Sequence, residues 1–514
     1  MVTKGTVYLV GAGPGDPGLI TRRGLDILRC ADVVVYDRLV SPELLLEARP
    51  DARLVYVGKA AASHSLTQDE ICQLLKDEAE AGRSVCRLKG GDPFLFARGG
   101  EEADSLAEAG IPFVVVPGVT SALAAPAYAG IPVTDRRVAS SVVIATGHED
   151  INKADSSVDW GRLAQAADTI VVLMGMKNLR TITSDLVAGG RATTTPAAVV
   201  RWGTTGRQQT LVSDLAKIAD EVENRGLTAP VVLIVGDVVA MRERISWFDG
   251  RPLSGRSVLV ARPRQGAGVL AELLRQSGAE PVVCPMIRVD PLPIDGPRIE
   301  VLMRQRWDWV LFTSANGVAC FRRQLLSSGH DWRSLADARL GVIGPGTASA
   351  LEGDGLRVDF VPSRAVAESF AAELPEVSRN TRVLLPRAAN ARSILPDRLQ
   401  EKGASVEVFE LYRAVPDEAG VSLLKSILDE GRIDVFAFAS ASTVHSVVDA
   451  VGGEAVGRGV VACIGPITAN AARERGLTVD IEAKTHTIPG LVEALERHFA
   501  ARETPDKDAK EGTR

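Results

Sequence analysis

Short apolar runs punctuate the first half of the chain: VYLV from Val7, VVVY from Val33, VCRL from Val85, FVVV from Phe113, TIVVL from Thr169 and VVLIV from Val231. Glycine, proline or a charge follows each within two residues. Runs this short and mostly continuous read as strands buried on both faces, not as the alternating pattern of a half-exposed strand. Stretches with helical spacing separate them, which predicts α/β layers with largely parallel strands. The pattern breaks at residues 246–256, where proline, glycines and charges replace it, and we take that segment as a linker between two halves. The last stretch, 501–514, is charged and apolar-poor and reads as a disordered tail.

The second half repeats itself. SVLVARP from Ser257 matches RVLLPRA from Arg382 (382 − 257 = 125), and GAEPVV from Gly278 matches GASVEV from Gly403 (403 − 278 = 125). WVLFTSANGV from Trp309 matches VFAFASASTV from Val435 (435 − 309 = 126), and VIGPGTASA from Val342 matches CIGPITANA from Cys463 (463 − 342 = 121). Matches in order at nearly one spacing imply two similar α/β lobes, with a ligand cleft expected where their serine- and glycine-rich turns follow the strands. The competing reading is that Ser and Thr in these turns cap helices.

Composition narrows the function classes. Of 514 residues, 46% are hydrophobic and 24% charged, which suits a water-soluble globular protein. The net charge of -6 gives no basic field to draw in nucleic acid. Six cysteines without a C-x-x-C read as reduced thiols, and six dispersed histidines do not suggest a metal. No apolar run is long enough for a membrane span, and no signal-peptide core precedes Val7. These features point to the cytoplasm.

The first strand runs into the loop GAGPGDPG. A dinucleotide fingerprint, G-x-G-x-x-G, would need glycine where Asp16 stands. A carboxylate there repels a pyrophosphate, and Pro14 and Pro17 remove two N–H donors. The loop suits an adenosine ligand without phosphate, such as S-adenosylmethionine. Asp37 could imitate the ribose-binding acid of a nicotinamide-dependent dehydrogenase, which is a rival reading.

The stretch from Val7 to Leu45, with VGKAAASHSLTQDEI, RLKGGDPFLFARGGEEADSL, VPGVTSALAAPAYAGIPVTDR, VVLMGMKNL and VVRWGTTGRQQTL, resembles uroporphyrinogen-III C-methyltransferase of the tetrapyrrole methylase family. The later LFTSANGV, GPGTASAL, ELYRAVP, AFASASTV and IGPITANAARERGL are similar to uroporphyrinogen-III synthase. The resemblance implies a fusion: a two-lobed tetrapyrrole methylase fold over 1–245, with lobes about 1–135 and 136–245, and a two-lobed synthase fold over 257–500 whose duplicated parallel-sheet domains interleave. It implies no dehydrogenase–chelatase domain.

What the resemblance implies for residues is specific. Pro14, Gly90, Gly91, Asp92, Leu95, Thr120, Ser121, Met174 and Gly203 would hold S-adenosylmethionine, with S-adenosylhomocysteine as product. Asp37 would accept a proton and Lys59 donate one; the bland alternative is that Asp37 pairs with Arg38 or caps a turn. Met174, on its residue type alone, is more often core filler. The eight-carboxylate substrate calls for arginines or lysines, and Arg38, Lys89, Arg98, Arg136 and Arg137 lie in or beside the motifs. In the synthase half Tyr412, just past the strand SVEVFE, would assist departure of hydroxide. Ser314, Ser440, Thr443 and Thr468 would line the cleft, and Arg262 and Arg387 end equivalent strands. The implied activities are ring closure of hydroxymethylbilane to uroporphyrinogen III and double methylation to precorrin-2, by a homodimer joined through the methyltransferase half. A non-catalytic tetrapyrrole-binding C-terminal module is the other rival.

Overall fold

The computed structural model describes residues 4–49, 51–58, 66–147, 158–261 and 268–503, the last three without their side chains. The first sheet is wholly parallel. Its strands β1 (Val7–Gly11), β2 (Val33–Tyr36), β3 (Arg53–Tyr56), β4 (Val85–Lys89) and β5 (Phe113–Val116) lie in the order β3-β2-β4-β1-β5. Val7, Leu9, Val33, Val35 and Val85 pack on one face with Leu75 and Leu106, while Val10, Val34, Cys86 and Leu88 pack on the other with Leu28. Both faces are covered, which is why these strands read as continuous apolar runs. The helix Gln68–Glu80 starts at a capping box in which Thr67 and Glu70 satisfy each other's main chain.

The second sheet departs from the parallel expectation. Its strands β6 (Val142–Thr146), β7 (Thr169–Leu173), β8 (Pro196–Arg201), β9 (Gln209–Asp214) and β10 (Val231–Val235) lie in the order β6-β7-β10-β8-β9. Only β6 and β7 run parallel; β7–β10, β10–β8 and β8–β9 are antiparallel. The cause is connection length: β8 and β9 are joined by the short loop Trp202–Gln208, which permits a hairpin and no crossover.

The C-terminal half contributes β11 (Ser257–Val260), β12 (Glu280–Val283), β13 (Ile287–Pro291), β14 (Trp309–Phe312), β15 (Arg339–Val342), β16 (Arg382–Ala388), β17 (Ser405–Pro416), β18 (Val435–Phe438), β19 (Val460–Cys463) and β20 (Ile481–Glu482). They form two sheets, ordered β12-β11-β18-β19-β20 and β13-β17-β16-β14-β15. The internal repeat pairs β12 with β17, β11 with β16, β18 with β14 and β19 with β15. The two sheets therefore place equivalent strands in one order, yet each takes strands from both copies of the repeat. The exchange happens at a broken strand. Residues Ser405–Pro416 form one strand in the second copy, whereas the corresponding stretch of the first copy stops at Val283 and resumes at Ile287 across Cys284-Pro285-Met286. Pro285 lacks the N–H that would continue a ladder.

By its contacts the chain divides into two compact units, residues 1–284 with 423–514, and residues 285–422. The division falls inside the C-terminal half and not at 246–256. That segment is packed: Phe248 and Leu253 are buried, Trp247 Nε1 donates to the Ala127 carbonyl at 3.0 Å, and Arg251 donates to the Arg275 carbonyl at 2.7 Å. The segment expected to be a disordered tail lies outside the described residues apart from the backbone of 501–503, which ends a helix.

Candidate functional site

Three turns meet at the carboxyl ends of β1, β4 and β5. Gly13 and Gly91 exchange main-chain hydrogen bonds at 3.2 and 2.7 Å, and both have positive φ, 82° and 70°. A Cβ on Gly11 would stand 2.5 Å from Gly118 Cα and 2.7 Å from the Gly91 carbonyl oxygen. A Cβ on Gly118 would stand 2.3 Å from that oxygen. The backbones of all three turns thus touch, which only glycine permits. Among the described residues, a Cβ on Gly91 would instead meet only Thr120 Cα, at 4.0 Å. Its main chain faces open space, as a turn must if a ligand is to approach backbone.

Asp92 ties two of these turns together. Its Oδ1 accepts the Phe94 N–H at 2.8 Å and its Oδ2 the Gly118 N–H at 2.9 Å. Each oxygen keeps a lone pair for a ligand. Thr120 caps the helix Ser121–Tyr128, and a Cβ on Gly203 would meet Ala125 of that helix at 2.5 Å. The loop Pro14–Asp16 lies against Thr204 and Thr205: Asp16 N donates to Thr204 Oγ1 at 3.0 Å, and a Cβ on Gly15 would meet Thr205 Cγ2 at 2.7 Å. Asp16 also accepts from Tyr128 Oη at 2.9 Å and from Gly18 N at 2.8 Å. The structure so brings together the loops carrying Pro14, Gly90, Gly91, Asp92, Thr120 and Gly203. Ser121 follows Thr120 at the helix start, and Leu95 is half-buried beyond Asp92. Met174 is not core filler. It follows β7 at φ 55° and is 48% exposed, a strained and accessible position for a non-glycine residue.

Asp37 follows β2. Its Oδ1 accepts the Leu39 N–H at 3.1 Å, and a Cβ on Gly90 would meet Leu39 Cβ at 2.9 Å, so this turn abuts the other three. Of the two bland alternatives for Asp37, the turn cap is seen in the Leu39 hydrogen bond and the pairing with exposed Arg38 is not; Asp37 Oδ2 lies 3.9 Å from Arg87 Nη1. Sequence reasoning missed Arg87, because a lone polar residue in a buried run carries no sign of its partner. That partner is the fully buried Glu102, which accepts from Arg87 Nε at 3.2 Å and from Lys89 Nζ at 2.7 Å. Lys89 therefore points inward and is not a surface cation for substrate. Burial, with Arg87 beside it, holds its ammonium below the usual lysine range against the opposing pull of Glu102. Arg98 and Arg137 are paired with Glu101 and Asp135, which leaves Arg38 and Arg136 as the exposed cations of that group without an ion pair among the described residues. Lys59 lies outside the described residues.

In the unit 285–422, Tyr412 lies within β17 and not beyond the strand's end. It pairs with Ala388 after an irregularity in the β16–β17 register and with Pro291 across β13. It is 6% exposed, packs in the core with Phe312 and Phe321, and its hydroxyl is 2.8 Å from Ser314 Oγ. Ser314 caps the helix Ala315–Ser327 by accepting the Gly317 N–H. Burial raises the phenol's pKa and the Ser314 hydrogen bond opposes the rise, so the hydroxyl keeps its proton at neutral pH. Arg387 is buried and donates to the carbonyls of Ala388 and Arg392. Two of its nitrogens brace its own turn. In the other unit Ser440 caps the helix Ala441–Val451, and Thr443 and Thr468 are buried, Thr443 donating to the Ser440 carbonyl at 2.7 Å. Ser314 and Ser440 are thus helix caps, as the competing reading held for such turns, while Thr443 and Thr468 lie buried within the first turns of their helices. Arg262 lies outside the described residues. Among the described residues no cluster could hold a metal ion, and no helix is long and apolar enough to cross a membrane.

Comparison with known proteins matches each half of the chain to a family. Residues 6–219 match the family Tetrapyrrole (Corrin/Porphyrin) Methylases, and residues 268–493 match Uroporphyrinogen-III synthase HemD. The Porphyrin biosynthesis protein HemD of Ruminiclostridium josui is 38% identical over 493 residues, 96% of this chain and 97% of that one. The Uroporphyrinogen-III C-methyltransferase of Bacillus subtilis is 41% identical over 363 residues, 70% of this chain and 74% of that one. Among solved structures, the uroporphyrin III C-methyl transferase of Thermus thermophilus is 38% identical, covering 46% of this chain and 99% of its own, with a TM-score of 0.40.

Proposed function

The chain belongs to the family in which a tetrapyrrole methylase is fused to a uroporphyrinogen-III synthase, and we propose that it catalyses two consecutive steps. The C-terminal half closes hydroxymethylbilane to uroporphyrinogen III with inversion of the last ring. The N-terminal half adds two methyl groups to that product, giving precorrin-2 for sirohaem or cobalamin. The meeting of the three glycine turns around an open main-chain face is the observation that best supports the methylation reading. The dehydrogenase alternative falls with the family membership.

S-adenosylmethionine, when bound, supplies an electrophilic methyl group and leaves as S-adenosylhomocysteine. Pro14, Gly90, Gly91, Asp92, Thr120 and Gly203 would hold it, with Leu95, Ser121 and Met174 at the margins. Asp37 would take the proton that the cationic ring must lose once a pyrrole carbon has been methylated, and Lys59 would return one where the macrocycle needs it. The buried guanidinium of Arg87 lies 3.9 Å from the Asp37 carboxylate, on the side away from Leu39 N. The exposed Arg38 and Arg136 would meet substrate carboxylates.

In the synthase half, loss of hydroxide from the bilane leaves a delocalised cation, so the protein's work is to hold a flexible polyanion and help the hydroxyl depart. Tyr412, kept protonated by burial, donates through or beside Ser314 to the departing oxygen. A non-catalytic tetrapyrrole-binding half is the second reading. Incubation of the full chain with hydroxymethylbilane alone separates them: catalysis yields isomer III, whereas a binding module leaves only the isomer I of spontaneous closure.

The reading extends to a cytoplasmic homodimer joined through the methyltransferase half. Light scattering of the full chain at micromolar concentration should give twice the mass of one chain, and a monomer would contradict it.

A further inference from the structure

The loop that joins β8 to β9, Trp202–Gln208, is held in a costly conformation. Trp202 and Thr204 are non-glycine residues at φ 49° and 72°, and Thr204 is 1% exposed. Backbone of this kind persists only where its surroundings over-determine it, and it clusters at functional sites. One side of the loop faces the first lobe of the same half, where Thr204 Oγ1 accepts the Asp16 N–H and Gly15 packs on Thr205. The other side faces the synthase half. Glu280, the first residue of β12, accepts the Gly206 N–H on Oε2 at 2.8 Å, and its Oε1 lies 3.8 Å from Arg207 Nε. The approach is main chain to main chain: a Cβ on Gly206 would stand 2.1 Å from Glu280 N. The Gly255 N–H donates to the Gly206 carbonyl at 2.9 Å, and Arg207 stacks over the Trp202 ring at 4.2 Å.

We propose that Glu280 of the synthase half is a positioning residue for the methyl-donor site of the other half, acting through the Trp202–Gln208 loop on the Pro14–Asp16 turn. The inference rests on the reading that this turn and Gly91 hold the donor. Glu280 pins Gly206. A pinned Gly206 leaves Thr204 no room to relax from its positive φ, and Thr204 in that conformation presents its hydroxyl to Asp16 N. Without the carboxylate, the Gly206 N–H loses its acceptor, the loop relaxes toward ordinary backbone, and the donor turn loses its support. Fusion of the two enzymes then serves the methyl transfer directly, because one half completes the scaffold of the other.

The experiment uses the full chain and its Glu280→Ala, Glu280→Gln and Gly91→Val variants. Calorimetry measures the affinity for S-adenosylhomocysteine, methylation kinetics give KM and kcat, and conversion of hydroxymethylbilane reports on the synthase half. Glu280→Ala should weaken binding and raise the donor KM by about tenfold, within the range usual for coupling between sites, with kcat at saturating donor and synthase turnover little changed. Glu280→Gln keeps an oxygen for the Gly206 N–H and should restore most of the affinity. Gly91→Val places a β-branched side chain on the open face at positive φ and should weaken binding whatever Glu280 does. If Gly91→Val weakens binding and a folded Glu280→Ala does not, the positioning role is overturned and the donor site stands. If neither changes affinity, the donor-site reading falls and the inference with it. Equal loss of both activities with a lowered melting temperature in Glu280→Ala, and no rescue by Gln, would make Glu280 a structural residue only.

Discussion

Gly118→Ala should cost methyl transfer about 10²-fold or more while leaving synthase turnover intact, because a misplacement of ~1 Å at a reacting centre has an effect of that order. Gly118 has no positive φ, so alanine meets no backbone penalty there. The trouble is contact. The added methyl would stand 2.3 Å from the Gly91 carbonyl oxygen and 2.7 Å from Gly11 Cα, where unstrained carbon contacts are about 3.5–4 Å. The turns must part by roughly an ångström to admit it. Parting them also pulls the Gly118 N–H from Asp92 Oδ2, so the one side chain that ties the second turn to the third is loosened together with the open face at Gly91. Methylation kinetics, set beside hydroxymethylbilane conversion on the same preparation, measure the effect. Near wild-type methylation would mean that the meeting of the three turns does not form the donor site.

Tyr412→Phe should lower synthase turnover by about 10²-fold, the usual worth of a positioned acid or hydrogen-bond donor. The ring stays, so packing against Phe312 and Phe321 is kept. Only the hydroxyl is lost, and with it the 2.8 Å hydrogen bond to Ser314 Oγ. Ser314 retains the Gly317 N–H, so the stability cost is about 1 kcal/mol, small beside the kinetic effect. Slowed enzymatic closure lets spontaneous closure compete, and the fraction of isomer I should rise. Isomer III at the wild-type rate would assign the hydroxyl to the core alone.

Much of this architecture was legible in the sequence, for a physical reason. Strands covered on both faces must be apolar throughout, so VYLV, VVVY and VVLIV announce themselves. The repeat likewise exposed equivalent strands, since both copies fold by the same local rules. Pairing partners were not legible. Nothing in the pattern says that β10 lies antiparallel between β7 and β8, or that β11 and β12 share a sheet with strands of the other repeat copy. Those choices are made by connection length and by the break at Pro285, across residues far apart in the chain. Among site residues, glycines were easy to find and charges were misjudged. Lys89 looked like a substrate cation, but its depth is set by Glu102, thirteen residues on (102 − 89 = 13), in a helix whose facing the sequence leaves open. Arg387 and the two threonines show the same ambiguity, because a polar residue in a turn after a strand serves either the ligand or the turn itself, and all three are buried. Gly118 and Thr204 went unnoticed: one sits in an unremarkable Pro-Gly turn, and the other shows its importance only through its φ.

The central claim is that one chain converts hydroxymethylbilane to a doubly methylated tetrapyrrole in two steps. The most direct measurement is to incubate the full chain with hydroxymethylbilane and S-adenosylmethionine and to follow the product by mass. The product should be heavier than uroporphyrinogen III by two CH₂ units, one for each methyl gained and proton lost, and it should be unmethylated isomer III when the donor is withheld. Isomer I with the donor withheld, or isomer III that stays unmethylated with the donor present, would contradict it.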